Sequence, residues 1–322
     1  MELIAGDIGG TKSWLAWVTG EADGVQRLRF EQVYASAAFA TADDLIRQFI
    51  ADAGLATGPD CLLLALPGPM HAQHVTLTNL DWTLEAADMG ASLGIPRVRF
   101  INDFQAAAAG VATLTAADVV AINPQPVEPE GVCAITGAGT GLGLAFMLAG
   151  ESGRYRDFAS EAGHIDFAPA NATQARLLEW LRASHGHVSW ERVLSGLAMD
   201  ALYRFSCTEQ NAALPDEPVD GAALVKRAES GDPVAGAALD LFIDLYGAWV
   251  GNVALLLQPR GGLYVAGGIG VHLQARIQSA RFMAAATDKG RMRGVVERTP
   301  IFLITHPRLG VQGAIATAFS LT

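Results

Sequence analysis

The sequence has little cysteine, and its three cysteines lie far apart. Cys61, Cys133 and Cys207 share no short spacing. A disulfide-stabilised secreted fold needs several cysteine pairs, and a cysteine-based metal site needs closely spaced ligands. The sequence therefore predicts reduced thiols in a cytosolic protein, with neither a disulfide framework nor a cysteine metal site.

Positive charge is also scarce. The chain has 22 lysine and arginine residues against 33 aspartate and glutamate residues, a formal net charge of −11. Such a chain has no general attraction for nucleic acid or for an anionic membrane. Neither is predicted as a partner, and any phosphate that the protein binds must be held by local geometry.

Long hydrophobic runs are missing where a leader or a membrane span would need them. The N-terminus begins Met-Glu-Leu-Ile-Ala-Gly-Asp, with no basic segment and no long apolar run before the first acid. The longest uncharged apolar stretch of the second half, residues 245–257, is too short to cross a bilayer. It is predicted to lie in a buried helix of a soluble, cytoplasmic protein.

Apolar residues are abundant, at 51% of the 322 residues, which is enough for more than one buried core. At about 150 residues per domain the length predicts two domains, and a segment rich in proline and acid, residues 116–131, is the candidate boundary. The order of apolar runs predicts an α/β protein with mixed sheets. The predicted strands are Glu2–Ile8, Ser13–Val18, Val25–Ala35, Cys61–Leu66, His74–Thr78, Arg97–Ile101, Val132–Thr136, Leu144–Leu148 and Leu263–Ala266. The predicted helices are Asp43–Ala53 behind a Thr41 cap, Leu84–Leu93, Thr173–Ala183, Gly221–Ala228, Pro233–Gln258 and about Leu309–Phe319.

Three glycine-rich segments each follow a predicted strand, at residues 6–12, 137–143 and 266–270. Glycine lets backbone N–H groups come close to a phosphate. The first segment is no Walker loop, because Thr11 separates Gly10 from Lys12, and taken alone it is better explained as a plain hairpin turn. The second is no dinucleotide fingerprint, because position 142 is leucine and the flanking pattern is β. Three such loops at strand ends together indicate phosphate binding.

Two groups of polar residues are candidates for chemistry. Asp103 follows a predicted strand and precedes a helix, so it is either the cap of that helix or a general base. Glu161 and His164 lie three residues apart, a pattern that a surface turn also explains. Glu191 follows Ser189, which is a candidate N-cap with the glutamate in the first helical turn.

Taken together, these segments resemble the bacterial glucokinases, ATP-dependent hexose kinases of the actin-like, hexokinase-type superfamily. The matching segments come in the family's order and span residues 2 to about 320. They are residues 6–11 (GDIGGT), 77–79 (LTN) with Trp82, 101–104 (INDF), 137–143 (GAGTGLG), 160–169 (SEAGHIDFAP), 187–196 (HVSWERVLSG) and 266–269 (AGGI).

The resemblance implies an α/β fold of the two-domain actin-like ATPase (ribonuclease H-like) type, with mixed sheets and an interdomain cleft. Its small domain would comprise residues 1–115 and about 304–322, and its large domain residues 116–303. The implied activity is transfer of the ATP γ-phosphate to the 6-hydroxyl of D-glucose with Mg²⁺, in glycolysis, by a cytoplasmic homodimer. The alternatives are a kinase for another hexose, such as mannose or glucosamine, and a non-catalytic sugar-binding regulatory paralogue.

The resemblance also implies roles for individual residues. Asp103 matches the catalytic base that takes the proton of the sugar 6-hydroxyl, and Asp7 matches a residue near the Mg²⁺. The sugar-binding positions are Asn102, Asp103, Glu161, His164 and Glu191. The ATP-binding positions are Gly6, Asp7, Ile8, Gly9, Gly10, Thr11, Gly137, Gly139, Thr140, Gly141, Gly267 and Gly268.

Two residues depart from the family pattern. Lys12 stands where asparagine is common, which adds a cation beside the first loop. Ala162 stands where glycine is common, directly after Glu161, and its methyl group is expected to crowd the sugar pocket. The related ROK kinases carry a cysteine-rich zinc loop, which is not expected here because no cysteine lies between Cys133 and Cys207.

Overall fold

The computed structural model describes residues 1–20, 26–55, 57–68, 70–77, 80–150 and 155–321. The strands in these ranges are β1 (Glu2–Ile8), β2 (Lys12–Gly20), β3 (Gln26–Ala35), β4 (Cys61–Leu66), β5 (His74–Leu77), β6 (Trp82–Glu85), β7 (Arg97–Asn102), β8 (Val119–Asn123), β9 (Cys133–Ala138), β10 (Leu142–Ala149), β11 (Tyr155–Ser160), β12 (Gly262–Val265) and β13 (Ile301–Ile304). The α-helices are α1 (Ala42–Asp52), α2 (Ala86–Leu93), α3 (Asp103–Val111), α4 (Ala172–Arg182), α5 (Ala198–Glu209), α6 (Gly221–Glu229), α7 (Pro233–Leu257), α8 (Gly268–His272), α9 (Gln274–Ile277), α10 (Ala280–Thr287), α11 (Arg293–Glu297) and α12 (Leu309–Ser320).

The chain divides into two compact units. The first unit comprises residues 1–115, 157–159 and those from His306 onward, and the second comprises residues 116–156 and 160–305. The sequence-based division differs in assigning residues 157–159 to the larger domain.

The first unit is built on a sheet with the strand order β3-β2-β1-β4-β7. The first three strands are antiparallel neighbours, and β1, β4 and β7 run parallel. Alternation along β1 sends Ile4 to the face covered by α1 and α2, and Leu3 to the face where α12 packs. β4 is buried at every position, as expected for a central parallel strand covered on both faces.

The second unit repeats this arrangement. In the order β11-β10-β9-β12-β13-β8, the strands β10, β9, β12 and β13 have the neighbours and directions of β2, β1, β4 and β7. The sequence of the two halves gives no alignable repeat, so the structure supplies the evidence for a duplicated fold.

The long helix α7 is the central helix of the second unit. Asp232 caps its first turn, accepting from the N–H groups of Val234 and Ala235 at 2.9 and 3.1 Å, and Pro233 occupies the first helical position. The helix is long and apolar enough to cross a membrane by length and composition, but 72% of its most apolar window is buried inside the protein. The predicted buried helix at residues 245–257 is therefore confirmed.

Most predicted elements are confirmed within a residue or two, including the Thr41 cap, which accepts from the N–H of Asp44 at 3.1 Å. One helix start is wrong: Leu84 lies in strand β6 rather than in a helix, because α2 begins only at Ala86. The second unit begins at Ala116, the first residue of the candidate boundary segment 116–131, but that segment also contains β8, which pairs with β13 and belongs to a sheet. Val25 and Thr78, at the ends of predicted strands, lie outside the described residues.

Candidate active site

The first glycine loop is a tight turn between β1 and β2. The N–H of Gly9 donates to the carbonyl of Lys12 at 2.9 Å, which confirms the predicted hairpin. Ser36 stabilises the turn. Its hydroxyl donates to the carbonyl of Gly9 at 2.7 Å and lies 2.8 Å from the hydroxyl of Ser13. Both serines are completely buried. Their role could not be read from the sequence, because Ser36 lies 27 residues from Gly9 in the chain.

Asp7 lies next to the last residue of β1, and its carboxylate faces the start of α12. A Cβ atom at Gly310 would collide with the Asp7 carboxylate, so glycine is needed at that position. Burial raises the pKa of Asp7 from 3.8 to about 6. Its side chain has no hydrogen-bond partner within the ranges that the structure describes. Gly6, in contrast, is explained by packing, since a Cβ there would lie 2.6 Å from the Leu15 side chain.

Asn102, and not Asp103, is the cap of α3. The Asn102 side chain accepts from the N–H groups of Phe104 and Gln105 at 3.0 and 3.2 Å. Asp103 is the first residue of the helix, and one carboxylate oxygen lies 2.9 Å from the N–H of Phe104. The structural alternative for Asp103, a helix cap, is therefore wrong, because its neighbour already fills that position.

Asp7 and Asp103 lie at the carboxyl end of the parallel strands of the first sheet. Asp7 pairs with Ala65 on β4, and Ala65 pairs with Ile101 on β7. Two strand spacings separate Asp7 from Ile101, which is about 10 Å. At the carboxyl ends of parallel strands, open α/β sheets bind their ligands.

The second glycine loop joins β9 to β10, and its turn has fewer residues than the predicted segment 137–143. Gly137 lies within β9, where a Cβ would collide with the carbonyl of Ala266, so this glycine permits backbone packing. The turn proper is residues 139–141, in which the N–H of Gly139 donates to the carbonyl of Gly141 at 2.8 Å. The N–H of Gly196 donates to the Gly139 carbonyl at 2.7 Å. Gly139 and Thr140 are exposed at the tip.

The third loop lies beside the second. Gly267 follows β12 with a φ of 98°, a conformation that favours glycine, and α8 begins at Gly268. A Cβ at Gly267 would lie 2.9 Å from the carbonyl of Ala138. β9 and β12 are parallel neighbours, so both loops leave the same edge of the second sheet. The structure thus brings together two of the three glycine loops predicted from the sequence.

Glu161, His164 and Glu191 form one cluster in the second unit. His164 Nε2 lies 3.9 Å from a Glu161 oxygen, and His164 Nδ1 lies 4.0 Å from Glu191 Oε1. The side chains of Glu161 and His164 are more than half exposed, and that of Glu191 is 29% exposed. The cluster therefore offers two carboxylates and an imidazole to a ligand with hydroxyl groups.

Glu191 also contacts the second glycine loop. Its Oε2 atom accepts from the N–H of Leu142 at 2.9 Å, and a Cβ at Gly141 would collide with the same carboxylate. The prediction of a helix capped by Ser189 is wrong, because residues 191–197 form turns and Ser189 bridges to Asp166 in an extended pair. The N–H of Glu191 instead donates to the carbonyl of Gly163 at 2.9 Å, which fixes Glu191 beside His164.

His187 contacts the backbone of His164 in this cluster. Its Nε2 lies 3.1 Å from the carbonyl of His164, and its Nδ1 lies 3.3 Å from an Asp166 oxygen.

The two residues that depart from the family pattern lie in different surroundings. Ala162 is partly buried and packs against the hydrophobic core of the second unit. The side chain of Lys12 is exposed at the start of β2. Thr78 and Asn79, in one of the motifs predicted from the sequence, lie outside the described residues.

Comparisons with known proteins agree over almost the whole chain. A family model described as Glucokinase matches residues 4–320. The chain is 38% identical to a glucokinase of Synechocystis sp., over 99% of this chain and 98% of that protein. A solved glucokinase from an Antarctic psychrotroph has a TM-score of 0.83 and 29% identity, with 99% of both chains covered. A ROK family glucokinase from Streptomyces griseus, solved in complex with glucose and AMPPNP, shares the fold with a TM-score of 0.62, 21% identity and 98% of both chains covered.

Proposed function

The chain belongs to the glucokinase family and is an ATP-dependent glucose kinase, and on that premise we propose which of its residues carry the reaction. The observation that supports the assignment best is the contact between Glu191 and Leu142. It ties the carboxylate–imidazole cluster, which suits a polyhydroxyl substrate, directly to a glycine loop that suits a phosphate.

Glu161, His164 and Glu191 are the proposed sugar ligands of the second unit. A sugar hydroxyl both donates and accepts hydrogen bonds, so carboxylates take its protons and an imidazole N–H reaches its oxygens. Asn102 is the proposed sugar ligand of the first unit, although its Oδ1 is engaged as the α3 cap. Its amide NH₂ group remains the donor that would bind a hydroxyl.

Asp103 is the proposed general base. It would accept the proton of the 6-hydroxyl as that oxygen attacks the γ-phosphorus of ATP, and the bond from the γ-phosphorus to the leaving ADP oxygen would break. Phosphoryl transfer needs little covalent help from a protein, because positioning and charge stabilisation dominate. The position of Asp103 in the first turn of α3 keeps its carboxylate at the carboxyl edge of the sheet.

The proposed nucleotide ligands are the three glycine loops. The turns of the first two loops, residues 9–11 and 139–141, would hold the phosphates through backbone N–H groups, whereas Gly6 and Gly137 lie in strands and permit packing. Gly267 and Gly268 would contact the adenosine. Each of the first two loops is fixed by a group outside it, namely Ser36 and Gly196. Loops held rigidly in this way lose little conformational entropy when they bind the nucleotide.

Mg²⁺ is the proposed metal ion, held by the nucleotide with Asp7. Across the ranges that the structure describes, no group of three or more histidine, cysteine, aspartate or glutamate side chains could hold a metal ion by itself. Mg²⁺ nevertheless fits, because it usually binds one or two carboxylates together with substrate phosphates and water. Asp7 supplies a carboxylate without a hydrogen-bond partner among the described residues. When bound, Mg²⁺ would neutralise phosphate charge that a chain of net charge −11 cannot.

The cellular setting is also part of the proposal. The enzyme is proposed to be a cytoplasmic homodimer that acts in glycolysis. The net charge of −11 and the mostly buried helix α7 agree with the proposal that it has no nucleic acid or membrane partner. The dimer rests on the family resemblance.

A coupled assay tests sugar choice and metal dependence together. Initial rates with ATP are measured for glucose, mannose and glucosamine, each with Mg²⁺ and with excess chelator. We expect glucose to have the highest kcat/KM and the chelator to abolish turnover. A higher kcat/KM for another hexose would overturn the proposed specificity, and turnover in excess chelator would overturn the proposed role of Mg²⁺.

A further inference from the structure

A cavity of about 740 Å³ lies at the edge strand of the first sheet, and none of the residues that line it has a role assigned above. It is bounded by the edge strand β7, by helix α2 and by the end of α12. Small residues on α2, among them Ala87, Gly90 and Ala91, leave this space free. Its volume is in the range that small-molecule ligands fill.

Two arginines on the edge strand line this cavity. Arg97 and Arg99 alternate along β7, opposite Cys61 and Leu63 of β4, so their side chains leave the same face of the sheet. In the described part of the chain neither guanidinium has a carboxylate within 4 Å. Among the described residues, these two guanidinium groups make one hydrogen bond, a long one from Arg97 Nε to the carbonyl of Asp60 at 3.5 Å.

Both positive charges act on the same point of the cavity wall. Burial raises the pKa of the Cys61 thiol, Arg97 and Arg99 oppose that rise, and the neighbouring Asp60 adds to it. Among the residues that line the cavity, two guanidinium groups face one carboxylate, that of Glu85. Arg276 and Arg281, by comparison, are both paired with Asp240.

The open edge of β7 adds backbone hydrogen-bonding groups. Gln73 pairs with Phe100 through both amide atoms, accepting from its N–H at 2.7 Å and donating to its carbonyl at 3.1 Å. The backbone groups of Phe100 therefore point away from β4, and by the alternation of a strand those of Val98 do too. Val98 lines the cavity, so an N–H and a carbonyl lie beside the two arginines.

We infer that this cavity is a second ligand site, which takes a small organic anion with a phosphoryl or carboxylate group held by Arg97 and Arg99. Guanidinium groups bind both kinds of anion through paired N–H donors. Glu85 and the Val98 backbone would bind hydroxyl groups of the same molecule. The site does not depend on the roles proposed for Asp103 or for the glycine loops.

Calorimetry on the full-length enzyme tests the site. The probes are 3-phosphoglycerate and, in a separate titration, malate, each at constant ionic strength and with saturating glucose, AMPPNP and Mg²⁺ to occupy the catalytic site. The variants are Arg97→Gln with Arg99→Gln and, as the charge-matched control, Arg47→Gln with Arg182→Gln. The control arginines are similarly exposed, but each has a carboxylate partner.

The wild type and the control should bind at least one probe saturably with the same Kd within twofold, and the Arg97/Arg99 variant should bind at least tenfold more weakly. Binding of 3-phosphoglycerate alone would identify a phosphoryl ligand, and binding of malate alone a dicarboxylate. Ala91→Glu, which adds a negative charge to the lining without touching an arginine, should weaken binding in the same way. No saturable heat from either probe, or equal Kd values in the wild type and the Arg97/Arg99 variant, would overturn the inference.

Discussion

Glu191 is expected to affect both substrates, whereas His164 is expected to affect only the sugar. Glu191 Oε1 lies beside His164, and Glu191 Oε2 accepts from the N–H of Leu142 at the base of the second glycine loop. In the described part of the chain, His164 makes no hydrogen bond or ion pair with that loop. Substitutions at the two positions therefore separate a residue of the sugar cluster from a residue that also positions the loop.

The magnitude follows from the hydrogen bond that is lost. In Glu191→Ala the N–H of Leu142, a residue only 5% exposed, has no acceptor. An unsatisfied buried donor costs about 1–3 kcal/mol, which corresponds to a factor of about 5–150. We expect Glu191→Ala to lower kcat/KM for ATP by a factor in this range, in addition to its effect on glucose. Glu191→Gln retains an acceptor for Leu142 and should keep kcat/KM for ATP within about threefold of the wild type.

The assay is a matrix of initial rates over glucose and ATP concentrations for the wild type, Glu191→Ala, Glu191→Gln and His164→Ala. His164→Ala should raise the KM for glucose by about 5–150-fold and leave the KM for ATP within about twofold. If Glu191→Ala leaves kcat/KM for ATP unchanged, or if the alanine and glutamine variants are equal in this respect, the loop-positioning argument is refuted.

Three further predictions concern the supports of the site. Because burial raises the pKa of Asp7 to about 6, its contribution to stability is complete below pH 4 and is lost as the pH rises through 6. Urea unfolding at pH 4 and pH 7.5 should therefore show the wild type losing up to about 3 kcal/mol relative to Asp7→Asn over that interval, and equal pH dependence would contradict this. Ser36→Ala leaves the Gly9 carbonyl without its hydroxyl donor. This variant should lower the free energy of unfolding by about 1–3 kcal/mol and raise the KM for ATP. An unchanged KM for ATP would show that the first loop does not need this hydrogen bond. Gly310→Ala should lower kcat at least tenfold by pushing a methyl group against Asp7, while Gly236→Ala, which meets no atom within 4 Å, should leave kcat unchanged; equal rates in the two variants would contradict the steric argument.

The family, the enzyme class and the α/β fold could be predicted from the sequence, and the comparisons confirm them. They were accessible because glycine loops, strand patterns and short motifs are local features of the chain. The duplication of the sheet was not accessible, because it consists of strand order and direction with no repeat in the residues. β8 was missed for a related reason: its neighbours Pro124 and Pro126 indicate a loop, and only pairing with β13 makes it a strand.

The supports of the site could not be predicted either. Ser36 and Gly196 hold loops that lie 27 and 57 residues away in the chain, and nothing near them in the sequence indicates the partner. Glu191 was predicted to lie in a helix because Ser189 is a good local cap. The extended pairing of Ser189 with Asp166 competes with that cap and determines where Glu191 lies. The roles proposed for the individual site residues remain predictions.

The role of Asp103 is the central claim, and turnover of Asp103→Asn tests it most directly. Asparagine keeps the size of the side chain but cannot accept the proton, and the α3 cap is unaffected because Asn102 provides it. A general base contributes about 10²–10⁴-fold, so kcat should fall by that factor while calorimetry shows glucose binding within a few-fold of the wild type. A variant that keeps near-normal kcat would contradict the assignment of Asp103 as the base.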